Sequence, residues 1–255
     1  MNVRVLGCSG GVNRDVATTS FLIDDDILID AGSGVCYLSL EEMLRIRHVF
    51  ITHSHLDHIT AIPLLADTLY DELKQAPLSV YALPATLKAL KDHIFNWVIW
   101  PDFTELPDKD NGVIRLMAMH PGDSVEVNGR HIGMVKVNHS VDGAAYIVSK
   151  AGKNFAFSGD TTTNDDFWQA LNRLDSVDLL VVESAFPDED AKLADLSRHY
   201  CPRLLAEDLK KLEHDVTVNI SHLKPGYEDV IMQQCREVAP GRVFNQLQSN
   251  DRFTL

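Results

Sequence analysis

The chain has 255 residues, 45% of them hydrophobic and 24% charged, with a formal net charge of −14. That length supports a stable core without staples, and that composition excludes a disordered chain. The acidic balance argues against a duplex-binding surface, because phosphate contacts come mainly from Lys and Arg; an anionic small substrate stays possible, since bound cations reverse a local field.

No apolar run approaches the ~20 residues of a membrane span. The opening MNVRVLGCSGG lacks the apolar region of a secretory signal. Cys8, Cys36, Cys201 and Cys235 lie far apart with no C-x-x-C pair, the pattern of reduced thiols in a cytoplasmic protein.

Short β-type runs come first, at 3–6, 20–23 and 27–29, separated by Gly-rich or Asp-rich turns. A strand at 49–51 leads into a His-rich turn and then a segment, 59–73, with near-helical apolar spacing. Residues 78–82 read as a strand, and Pro84 opens a helix. The stretch 95–107 carries Trp97 and Trp100 and fits no period, so it is expected to be an ordered loop. After a strand at 113–119, Asn128-Gly129 and Ala151-Gly152 close two hairpins, 125–137 and 145–157. Strands at 177–182 and 216–220 then alternate with helices at 202–212 and 227–237. With no linker in view, the expectation is one domain of two mixed sheets covered by helices on their outer faces.

The segment His53-Ser54-His55-Leu56-Asp57-His58 follows a strand and one threonine. Neighbouring side chains on a regular helix or strand diverge. Asp57 and His58 can therefore share a site only in a turn or a helix's first turn, where the pattern places them. His53 and His55 could hold one metal while Asp57 and His58 reach a second; imidazole and carboxylate suit zinc, iron or manganese. His139, Asp160 and His222 each follow an apolar strand, and side chains at neighbouring strand ends converge on one edge of a sheet.

The order H-x-H-x-D-H, then His139, Asp160 and His222, resembles the metallo-β-lactamase superfamily over nearly the whole chain. The resemblance implies an αββα sandwich, two mixed β-sheets flanked by helices, as a single hydrolase domain over 1–255. It also implies a dinuclear metal centre, with Zn2+ expected and Mn2+ or Fe2+ also suited. It assigns His53, His55 and His139 to the first ion, Asp57, His58 and His222 to the second, and Asp160 to the bridge between them. HSHLDHITAIP, IFNWVIWPDF, FSGDT, ESAFP and SHLKP resemble class II cyclic-nucleotide phosphodiesterases. Two departures are Arg198, where a small residue usually precedes His199, and Thr60-Ala61, where Gly or Ser is more usual.

That resemblance implies hydrolysis of 3',5'-cyclic nucleotides (cAMP/cGMP) to nucleoside monophosphates by two-metal phosphoester cleavage. Asp57 would orient the attacking water or accept its proton. His199 would contact the phosphate or protonate the leaving oxygen, and Glu183 would hold its tautomer. Trp97 and Trp100 could stack on a purine, or serve as core or dimer-interface aromatics of a homodimer. Lys224 is expected to be solvated. The expected partner is a small cyclic nucleotide, with no nucleic acid and no membrane. The alternatives are a tRNA 3'-processing endonuclease-like metallohydrolase and a non-catalytic metal-binding protein. Such endonucleases usually carry a long arm between the positions of His139 and Asp160, whereas residues 140–159 here close in a tight hairpin.

Overall fold

Runs that are apolar at every position mark strands buried on both faces, and the chain stacks such strands in two layers. A computed structural model of the chain describes residues 1–255. The first half supplies β1 (Asn2–Gly7), β2 (Ser20–Ile23), β3 (Ile27–Ile29), β4 (His48–Phe50), β5 (Leu78–Ala82) and β6 (Ile114–Ala118). The second supplies β7 (Ser124–Val127), β8 (Arg130–Lys136), β9 (Ala144–Lys150), β10 (Lys153–Phe157), β11 (Leu179–Glu183), β12 (Val218–Ser221), β13 (Phe244–Gln246) and β14 (Arg252–Thr254). They form two seven-stranded sheets, ordered β14-β1-β2-β3-β4-β5-β6 and β13-β12-β11-β10-β9-β8-β7.

Side-chain alternation splits the apolar residues among three cores. Phe21, Ile23, Ile27 and Ile29 face the second sheet and meet Tyr146, Phe155, Phe157 and Val181 between the layers. Their neighbours Leu22 and Leu28 point the other way, onto Ile62, Leu65 and Leu87 of the outer helices. Ile147, Leu180 and Ile220 face out of the second sheet onto Trp168, Leu205 and Ile231. Phe21 joins the layers through ring contacts to Phe155 at 5.7 Å and Phe157 at 4.8 Å. The four-layer αββα order expected from the sequence is therefore present.

The expected helical stretch 59–73 is three short helices, Leu56–Ile59, Ala61–Thr68 and Tyr70–Leu73. The break at Leu69 (φ −105°) turns the chain there. The short edge strand β14 was not expected; it pairs antiparallel with β1 and brings Met1 beside Leu255.

Two features position the site. β3 and β4 are parallel, as are β10, β11 and β12, so their carboxyl ends share one edge of the sandwich. β8 runs the same way as β10, since both are antiparallel to β9. The segments after β4, β8, β10 and β12 carry the residues singled out by sequence as metal donors, and Glu183 ends β11.

Candidate active site

The chain leaving β4 places Thr52 and His53 at the sheet edge, and Leu56–Ile59 begins a helix with His55 as its N-cap. Asp57 thus lies in a first turn, where the helix dipole favours a carboxylate, while His53 and His58 are buried against the sheet. His139 follows β8, Asp160 follows β10, and His222 follows β12. Gly159 makes the turn into Asp160 at φ +60°, and a Cβ there would stand 2.7 Å from the Ala144 carbonyl oxygen. Glycine is therefore required at that position.

These side chains converge. Donor atoms of His53, His55, His139 and Asp160 lie within 4.8 Å of one another, and so do those of Asp57, His58 and His222. Asp160 Oδ2 is the hub: it stands 3.3 Å from His58 Nε2, 3.3 Å from His222 Nε2 and 3.6 Å from His53 Nε2. His55 Nδ1 and His139 Nε2 are 3.2 Å apart.

The far sides of the rings are fixed. His139 Nδ1–H donates to the Arg198 carbonyl at 2.9 Å. His58 Nδ1–H donates to Asp30 Oδ2 at 2.7 Å. His53 Nδ1–H donates to Thr52 Oγ1 at 3.0 Å, and that hydroxyl donates to Asp30. One buried carboxylate therefore orients two imidazoles. Burial pushes the Asp30 carboxyl up, against the pull of His58 and Thr52. Sequence reading missed Asp30, for an Asp ending a strand before Ala-Gly looks like an ordinary turn residue.

Burial holds His53 and His222 well below the usual imidazole range and His139 down at about 4, so these three are neutral lone-pair donors at pH 7. At His58 burial is outweighed by Asp160 and Asp30, which raise it well above that range. Asp160 is held far below the carboxylate range because His222 and His58 overcome its burial.

A family model described as beta-lactamase superfamily domain matches residues 26–244. The chain belongs to that family. Among curated relatives, a probable 3',5'-cyclic-nucleotide phosphodiesterase of Yersinia pestis is 26% identical, covering 89% of this chain and 79% of its own. A ribonuclease Z of Prochlorococcus marinus is 25% identical over 89% of each chain. Among solved structures, unliganded yeast PDE1 superposes with a TM-score of 0.82 at 18% identity, over 100% of this chain and 99% of that one, a likeness of fold. The beta-lactamase superfamily chain thus has phosphodiester-cleaving enzymes as relatives on two sides.

Its donor set fits divalent cations. Buried His53 Nε2, His58 Nε2 and Asp160 Oδ1 face the cluster without a hydrogen-bond partner, and leaving such atoms unsatisfied is costly. Two imidazole nitrogens on one tetrahedral cation at about 2.0–2.1 Å stand about 3.3 Å apart, close to the His55–His139 spacing. The proton that the carboxylates keep on His58 is one a cation would displace.

Beside the cluster, His199 precedes the helix Pro202–Leu209, and its Nδ1–H donates to Glu183 Oε1 at 2.7 Å. Glu183 ends β11, is fully buried, and also accepts from the Thr161 backbone N–H at 3.0 Å. Burial opposes charge on His199, yet Glu183 raises its proton affinity; burial raises Glu183 in turn. The imidazole stacks on His222 at 5.2 Å, with its Nε2 edge left for the cleft. Complete burial sets Glu183 apart from an ordinary exposed strand-end carboxylate.

The aromatic loop stands elsewhere. Trp100 packs on the outer core of the first sheet, and Trp97 is exposed beside Val98 and Ile99 at φ +64°. Neither belongs to the donor cluster or to the cavity beside Asp57. Lys224 is half-buried rather than solvated: its ammonium donates to the Gly10 carbonyl at 2.7 Å.

Proposed function

We propose that this chain is a dinuclear-metal phosphodiesterase that hydrolyses 3',5'-cyclic nucleotides to nucleoside monophosphates. The observation that carries the reading is the His199–Glu183 pair, set beside the seven-residue donor cluster and within reach of Asp160 and His222. His53, His55 and His139 hold one ion, Asp57, His58 and His222 the other, and Asp160 both; Zn2+ suits the donors best. When bound, the two cations supply Lewis acidity toward phosphate oxygens and bring a water's pKa toward neutrality.

The protein's own groups do the rest. Asp57, partly open to solvent on the cleft side, orients the attacking water and accepts its proton. The water oxygen forms a bond to phosphorus and one ring P–O bond breaks. His199, whose proton affinity Glu183 raises by facing its Nδ1–H, gives the Nε2 proton to the departing oxygen. Glu183 keeps the ring in the orientation that presents Nε2.

A tRNA 3'-processing activity is the second reading, favoured by the ribonuclease Z relative. Against it stand the net charge of −14 and the β9–β10 turn, which closes directly at Ala151-Gly152 with Lys150 opposite Lys153. The test is metal analysis of the purified protein with a turnover screen of cAMP, cGMP and a tRNA precursor. Two ions per chain and turnover of a cyclic nucleotide support the proposal. Cleavage of the precursor alone moves the chain to the second reading, and two ions with no turnover make it a metal-binding protein.

A further inference from the structure

The donor cluster and the His199–Glu183 pair account for the phosphorus chemistry but hold nothing that would grip the organic part of a substrate. A cavity of ≈ 520 Å³ opens on the Asp57 side, bounded by residues 10–12, Thr18, Ser33, Leu56, Asp57 and Lys224. That volume falls within the roughly 300–1,000 Å³ of small-molecule clefts.

Its walls divide by chemistry. Val12 and Leu56 are 66% and 64% exposed, large aliphatic side chains left in water beside a polar centre, which an apolar ligand face would cover. Thr18 and Ser33 form a reciprocal pair: the Ser33 N–H donates to Thr18 Oγ1 at 2.8 Å, and the Thr18 N–H and hydroxyl donate to Ser33 Oγ at 2.9 and 3.3 Å. With its lone pairs so occupied, the Ser33 hydroxyl proton is left to be given outward. Lys224 is the one cation on the wall. Its ammonium spends one proton on Gly10 and keeps two, and its charge is felt at both His199 and His222. The loop lies this close because residue 10 is glycine: a Cβ there would meet the His222 carbonyl oxygen at 2.5 Å.

We infer that this cavity is the subsite for the nucleoside of a nucleotide substrate, with the base between Val12 and Leu56, the free 2'-hydroxyl of the sugar at Thr18–Ser33 and a phosphate oxygen at Lys224. The identity of the ligand rests on the phosphodiesterase reading; the cavity's role in holding an organic group does not. Trp97 and Trp100 then serve their loop rather than the base.

The test measures binding of adenosine monophosphate and of inorganic phosphate to the purified metal-bound protein by titration calorimetry. In Val12→Asn and Leu56→Asn, affinity for the nucleotide is expected to fall on the order of tenfold, the scale of a lost apolar contact, while affinity for phosphate holds. Lys224→Met is expected to weaken both ligands. Val12 is a solvent-exposed loop residue, so its variant keeps the test sound should Leu56→Asn not fold. Nucleotide affinity unchanged in both variants, a parallel loss for phosphate, a loss in Trp97→Ala alone, or no nucleotide binding by the unaltered protein would each overturn the inference. If the unaltered protein turns over no phosphodiester yet Val12 and Leu56 still discriminate nucleotide from phosphate, the subsite stands and the phosphodiesterase reading falls.

Discussion

Asp30 and His58 are joined by a 2.7 Å hydrogen bond in complete burial, and the same carboxylate takes the Thr52 hydroxyl that supports His53. Asp30 touches no ion position itself; it aims two imidazoles that do. Partners of this kind typically contribute 10- to 100-fold in metal affinity. Asp30→Ala is therefore expected to lower metal affinity by about that factor, read by competition with a chromophoric chelator. His55→Ala, which removes a donor, should abolish activity and reduce bound metal. Full metal occupancy and normal activity in His55→Ala would dismiss the site assignment.

Removing the ions should also loosen the fold. The cluster then leaves buried His53 Nε2, His58 Nε2 and Asp160 Oδ1 without partners. A ligand at 1,000 times its dissociation constant contributes about 4 kcal/mol, which for a chain of this size is about 10 °C in Tm. Scanning calorimetry with and without EDTA checks this. An unchanged midpoint would mean that the donors are satisfied without cations.

The fold and the cluster were largely legible in the chain, for a physical reason. β3 and the Phe21–Ile23 run of β2 are buried on both faces, so they appear as uninterrupted apolar runs. Asn128-Gly129 and Ala151-Gly152 supply the left-handed pairs that their hairpins need. The orienting groups were hidden. Asp30 and the Arg198 carbonyl act through tertiary contacts with His58 and His139, 28 and 59 residues away in sequence. The Val12–Leu56 cavity was equally invisible, because it joins residues from four separate loops that the sheet edges bring together.

Glu183→Gln should separate positioning from folding. The amide is nearly the same size and can still accept from His199 Nδ1–H and Thr161 N–H through its oxygen. It no longer raises the proton affinity of the imidazole. General acid–base catalysis contributes roughly 10²–10⁴, so kcat is expected to fall by at least about 10² while KM changes little. A substrate with a good leaving group such as 4-nitrophenolate, which needs no proton, should lose far less. Equal losses on both substrates would leave His199 without its role as acid.

Away from the site, Arg130 provides a test of acid stability. Its guanidinium is 3% exposed and pairs with both Asp26 oxygens at 2.6 and 2.7 Å, and with Asp24 at 3.1 Å, linking the β7–β8 hairpin to the β2–β3 turn. Burial would raise Asp26, but Arg130 outweighs it and holds the carboxyl below its usual value. A depressed carboxyl adds stability that is full above the unfolded pKa, near 3.9, and is lost as pH falls through the folded value. Asp26→Asn should therefore cost about 2 kcal/mol at pH 7, less than a fully buried pair because Asp26 is partly exposed. The cost should shrink steadily below about pH 4. Urea midpoints of the two proteins at pH 7 and pH 3 measure it; a difference that stays constant between them would show that the pair is held by packing rather than by charge.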